Sequence, residues 1–146
     1  MKTTIHLVIL LMIMLSQSIY ASEIHNAITA NNIGKLRLLI KQGANVNEFS
    51  AEGTWPLLIA ATYGYQQALS ILIANKADVN LANSHGYTAL QEAASLGYPQ
   101  IVKLLITAGA DIHKRDINNL NALNYAQMND ATEVIQILKL YGAKAQ

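Results

Sequence analysis

An all-α solenoid of about four stacked helix-turn-helix repeats, joined by short hairpin connections, is the fold class this sequence predicts. Three observations predict it. Ala27, Ala60, Ala93 and Ala126 recur every 33 residues, and Ala44, Ala77, Ala110 and Ala143 keep the same period without a gap. Leu39, Leu72, Leu105 and Leu138 fall on that lattice too, as do Gly43, Gly109 and Gly142, with Lys76 where the fourth glycine would stand. Composition agrees: 146 residues, 52% hydrophobic and 13% charged, describe a folded chain with a modest core and not a disordered one. A fixed period of 20–50 residues is the mark of units that cannot bury their apolar faces alone and must stack.

The chain opens with a segment outside the lattice. "MKTTIHLVILLMIMLSQSIYAS" has one lysine, an apolar run from Ile5 to Leu15, a short polar stretch and then Ile19-Tyr20-Ala21. A charged start, an apolar middle and a small residue at the cut describe a secretory signal peptide, so residues 1–21 are assigned as a leader cleaved after Ala21. A membrane-spanning helix wants about 20 apolar residues, and Ser16, Gln17 and Ser18 interrupt this one early. Losing Lys2 with the leader takes the formal charge from +1 to zero. A neutral domain is a poor match for a polyanion, so nucleic acid is not expected as a partner, nor a membrane after cleavage. The absence of cysteine from the sequence removes disulfides, thiolate metal sites, thiol nucleophiles and a lipidated anchor.

Residues 22–146 form the repeat domain, divided at approximately 22–50, 51–83, 84–116 and 117–146. The third unit shows the grammar. In "TALQEAASLGYPQIVKLLITAGADIHKRD" one apolar segment ends near Gly97 and a second begins at about Pro99. Glycine suits the positive φ that often ends a helix, and proline suits a first turn, where its missing N–H has no helical partner. Ile101, Leu104 and Leu105 share one helix face at spacings of three and four, which is the core face. Gly109 closes the second helix, and "ADIHKRDINN" leads out as an extended, turn-rich connection.

The motifs are "GTWPLLIAA", "GYTALQEAA" and "NLNALNYAQ", followed in register by "LLIKQGANVN", "ILIANKADVN", "LLITAGADIH" and "ILKLYGAKAQ". In these and in its period the chain resembles the ankyrin-repeat family, whose pattern runs G-x-T-P-L-H-x-A-A, a helix-helix turn, then L-L-x-x-G-A-D-V-N. The resemblance covers Ser22 to the C-terminus and implies L-shaped units: paired helices and a projecting hairpin, with minimal strand content. It also implies that a threonine caps the first helix and hydrogen-bonds the histidine of the same motif. Thr88 with Gln91, and Asn121 with Asn124, can substitute for that pair; Trp55 with Leu58 cannot, so Trp55 is read as interior packing. Ser22 occupies the capping position of the first unit, which would place the leader boundary at a helix cap. The last unit carries Asp130 in place of the turn glycine.

Chemistry is scarce. His6, His25, His85 and His113 include no pair at the i, i+4 spacing of a helical metal site. Asp78 and Asp111 occupy the G-A-D-V-N position, where a local turn hydrogen bond is the ordinary role. No nucleophile elbow, phosphate-cradling glycine loop or calcium loop occurs in the sequence, and "HKR" at 113–115 is too short for a binding patch. No catalysis, cofactor or metal is expected.

The resemblance implies instead a protein partner, gripped by hairpin tips and the outward side of the first helices. Carried over by register, the binding residues are Phe49, Glu52, Thr54, Ser84, His85, Tyr87, Glu92, Arg115, Asn118, Leu120 and Tyr125. Phe49, Tyr87, Arg115 and Tyr125 have the side-chain types that most often anchor interfaces. Against this, Phe49 can equally pack under the first hairpin, and Tyr87 can cover the hairpin beside Trp55. The expectation is a monomeric, non-catalytic, exported interaction module, periplasmic or secreted, with a leader compatible with bacterial origin. Rival readings are an inhibitor or immunity protein seated over an enzyme, a host-directed secreted effector, and a hydrolase built around His85 and Glu92.

Overall fold

The computed structural model describes residues 2–50 and 53–144. Among the described residues eight helices follow one another: α1 (Lys2–Thr29), α2 (Ile33–Lys41), α3 (Pro56–Thr62), α4 (Gln66–Ala74), α5 (Ala89–Ser95), α6 (Pro99–Thr107), α7 (Ala122–Met128) and α8 (Thr132–Leu140). They form four antiparallel pairs. The first helices pack side by side in the order α1, α3, α5, α7, and the second helices in the order α2, α4, α6, α8. Strand structure among the described residues is confined to one isolated antiparallel bridge, Ala82 with Thr88, at the base of a hairpin.

The 33-residue lattice is the packing lattice. Ala27, Ala60, Ala93 and Ala126 are buried to within 1% because the first helices approach closely there, and Leu72, Leu105 and Leu138 are fully buried between neighbouring second helices. Alanine is required by that closeness, since larger side chains would overpack it. The turn between paired helices needs a positive φ in every unit. Gly64 and Gly97 adopt it, and so do Asn31 (φ 50°) and Asp130 (φ 54°) at the same register. Lys76 keeps φ at 69° where the other three units use glycine. The turn geometry is therefore fixed by the stack and imposed on residues that do not favour it.

Three hairpins share one hydrogen-bond plan. The N–H of Ser50, Asn83 and Asp116 donates to the carbonyl four residues on, at 2.9, 3.0 and 3.1 Å. The side chains of Asn83 and Asp116 then accept two backbone N–H groups each from the following turn. Asp78 and Asp111 act as their position predicts, accepting the N–H of Asn80 and His113 at 2.9 Å. The amides of Asn47 and Asn80 join one connection to the next, each donating to a carbonyl 29 residues on and accepting an N–H 31 residues on.

One expectation about the first unit needs correcting. Ser22 is not a helix cap: it lies inside α1, which runs unbroken from Lys2 to Thr29. The helical propensity of the apolar N-terminal segment carries the hydrogen-bond ladder through Ser22, leaving it no orphan N–H groups to satisfy. Within the N-terminal half of α1, Ile5 and the residues from Leu7 to Met12 are at least half exposed, whereas Ile24, Ala27 and Ile28 are buried in the core. No helix among the described residues is long and apolar enough to cross a membrane.

Candidate functional site

The caps of the first helices decide how the hairpins meet the helix pairs. Thr88 and Gln91 form a capping box: the Thr88 N–H donates to Gln91 Oε1 at 2.7 Å, and the Gln91 N–H donates to Thr88 Oγ1 at 3.3 Å. Gln91 Nε2 then crosses to the next hairpin, donating to the Leu120 carbonyl at 2.8 Å and more loosely to that of Lys114. Asn121 and Asn124 form a second capping box, and Asn121 Nδ2 reaches the Lys144 carbonyl at 3.0 Å. In the first unit His25 Nε2 stands 3.2 Å from the Thr54 carbonyl, the equivalent of the Gln91 bridge. The second unit breaks the series. Trp55 caps α3 with no side-chain hydrogen bond, and Leu58 has no polar atom with which to bridge. The indole supplies a different bridge and no cap: Trp55 Nε1 donates to the Ala82 carbonyl at 3.2 Å. Among the described residues every buried side-chain nitrogen and oxygen has a partner.

Above this scaffold the proposed binding residues fall into separate groups. Tyr87, Glu92 and Tyr125 come together. The two rings meet edge to face with centroids 5.0 Å apart. The Tyr125 hydroxyl donates to Asp116 Oδ2 in a short hydrogen bond. Burial, then the bond to Asp116 and its charge, push the Tyr125 phenol up to about 12. Burial and the neighbouring Glu92 carboxylate likewise raise the Tyr87 phenol, which also contacts Ser95. Desolvation works against ionisation of Asp116, but hydrogen bonds from Tyr125, Leu120 and Asn118 outweigh it and hold the carboxyl below its ordinary value. Tyr87 therefore packs on Tyr125 of the next unit.

The others serve different ends. Phe49 lies with its ring 4.5 Å from that of Trp55 and remains 46% exposed. Thr54 and Leu120 are half-buried, and each offers its carbonyl to the bridge from the preceding unit. Ser84 and His85 are exposed at one hairpin tip, with Ser84 Oγ 3.4 Å from His85 Nδ1. Asn118 is exposed, its N–H held by Asp116. The Arg115 guanidinium donates to the Asn119 carbonyl at 2.7 Å and braces its own hairpin. Glu52 lies outside the described residues.

A neighbouring feature escaped the sequence reading. A cleft of about 350 Å³ opens between the first and second units, lined by Ser22, His25, Asn26, Thr29, Thr54, Ile59 and Tyr63. The lattice carried a signal for it, because Asn26, Ile59, Glu92 and Tyr125 share one register position and so one row along the first helices. No group of three or more potential metal ligands occurs among the described residues.

Paired helices in register, hairpins projecting from one edge and an open face of mixed side chains define a helical-repeat scaffold whose working part is a surface. The comparisons specify which. Residues 24–116 and 84–146 match the family model described as ankyrin repeats (3 copies), and the chain belongs to the ankyrin-repeat family. That family generally mediates protein–protein interaction and is typically non-catalytic. No curated protein matches the chain.

Proposed function

We propose that this protein is an exported, non-catalytic binding module that takes a protein partner on its concave face, in the periplasm or outside the cell, after removal of residues 1–21. The observation that carries the binding surface is the Tyr87–Glu92–Tyr125 group beside the cleft at Ile59, where aromatic, carboxylate and apolar contacts sit on one row of rigid helices. Anchors held by a stacked backbone lose little conformational freedom on binding, which favours affinity. The reading of the leader is supported by its exposed apolar side chains from Leu7 to Met12, which have no core to pack against. The test is affinity capture with cross-linking from the matching envelope extract, together with tracking of a tagged chain. Export and recovery of a protein partner are expected. A chain that stays in the cytosol and recovers nothing sinks the proposal.

A further inference from the structure

We propose that the concave groove recognises an extended polypeptide segment carrying an apolar side chain and, three residues away, a lysine or arginine: the apolar group enters the cleft over Ile59, and the cation rests on Glu92 against Tyr87 and Tyr125. The inference rests on the concave-face reading above and names the chemistry of its partner.

Charge supplies the first argument. Glu92 is half-buried beside the Tyr87 phenol, and no lysine, arginine or histidine pairs with it among the described residues, where the ion pairs are Lys35–Glu23 and Lys103–Glu133. The two cations of the adjoining hairpin are held elsewhere, Arg115 on the Asn119 carbonyl and Lys114 on that of Asn80. Asp116 is already occupied by the Tyr125 hydroxyl and two backbone N–H groups. Glu92 accepts the Tyr87 hydroxyl but has no cation beside it, so its remaining lone pairs can meet an incoming cation, to which the edge-to-face tyrosine pair offers ring faces. A half-buried acceptor beside aromatic rings favours a charge-assisted hydrogen bond over one made in open water.

Spacing supplies the second. Ile59 and Glu92 occupy the same register position of successive units. Packed helices lie about 8–10 Å apart. A polyproline-II segment rises about 3.1 Å per residue with three residues per turn, so side chains i and i+3 leave the same edge about 9 Å apart. The cleft holding Ile59 is bounded by the half-exposed Tyr63, which stacks on Tyr65 with ring centroids 5.5 Å apart. It provides an apolar wall with Asn26, Thr29 and Thr54 at the rim to meet a peptide backbone.

The full-length chain is titrated with fluorescent peptides that place arginine and leucine three residues apart, and with versions carrying glutamate for arginine, alanine for leucine, or the pair made adjacent. A random peptide display selection runs beside it. Tightest binding is expected for the three-residue spacing, with about a tenfold loss on Glu92→Gln, the change one charge-assisted hydrogen bond supports. Gln136→Lys on exposed α8 alters net charge by the same amount and should leave binding unchanged; melting temperatures report folding of both variants. Equal binding of the glutamate peptide, indifference to Glu92→Gln or failure of all peptides to bind overturns the inference. Selected peptides lacking basic residues but weakened by Tyr63→Ala would also overturn it while leaving the concave-face reading intact.

Discussion

The seam between the third and fourth units and the seam between the second and third solve the same problem with different chemistry. At the first, Gln91 caps its own helix and hydrogen-bonds the next hairpin, so one buried amide satisfies the helix start and joins two units. At the other, Leu58 fills the equivalent position, and Trp55 reaches the hairpin that leads to the third unit through its indole N–H, while its ring packs back on Phe49 of the first unit. What the stack requires is a partner for the hairpin carbonyl and a filled gap. It does not require a particular residue at a particular position. The polar seam is directional and intolerant of losing one partner, whereas the aromatic seam draws more on burial.

The apolar lattice beneath is common to both seams and should show the largest effect. Leu72 and Leu105 are each fully buried at the same register position. Leu72→Ala and Leu105→Ala should each cost about 2–5 kcal/mol in denaturant unfolding. A cost within about 0.5 kcal/mol, typical of surface changes, would contradict the core assignment. The seams themselves should then separate. Gln91→Leu strips the side-chain partner from the Thr88 N–H, at a cost of about 1–3 kcal/mol for that unsatisfied group, and removes one of two donors from the Leu120 carbonyl, which keeps the Asp116 N–H. Trp55→Phe keeps most of the ring, loses one hydrogen bond and should cost about 1 kcal/mol from that bond. Equal costs for the two substitutions would erase the proposed distinction.

Acid should act on the side of the polar seam. The Asp116 carboxyl is held below its ordinary value of 3.8, so its stabilising contribution is present above that pH and is lost as pH falls through the folded value. Tyr125→Phe removes the hydroxyl donor and should flatten the part of the acid-melting profile below about pH 4 that Asp116 contributes. An unchanged profile would show that the Tyr125–Asp116 bond contributes no pH dependence. The smallest effect lies at the turn beyond α4. Lys76→Gly relieves a left-handed lysine but frees the unfolded chain, leaving a gain of about 0.5–1 kcal/mol in melting experiments. A loss there would mean that the lysine side chain holds the turn.

The 33-residue period was legible because every unit places the same alanine and leucine in the same closely packed space. Legible too were the capping pairs Thr88–Gln91 and Asn121–Asn124, which lie within one turn of helix. The indole bond of Trp55, the Tyr87–Tyr125 pair and the cleft at Ile59 join different units, so their geometry depends on how repeats stack, not on spacing along the chain. The hydrogen bond of Arg115 to the carbonyl four residues on was not legible for a related reason, because residue type does not show how the hairpin turns back on the side chain. Ser22 was misread because capping preference assumes that the chain turns there, whereas the apolar segment before it continues the helix.

The central claim, that the concave face meets a protein partner, is tested most directly by photo-cross-linking in the cell that makes this chain. A photoreactive residue is placed in turn at Ser95 and Tyr63 on the concave side and at Gln136 on the outer helix. The account predicts a discrete protein adduct from Ser95 and Tyr63 and none from Gln136. Adducts from Gln136 alone, or none from any position in folded, abundant protein, would contradict it.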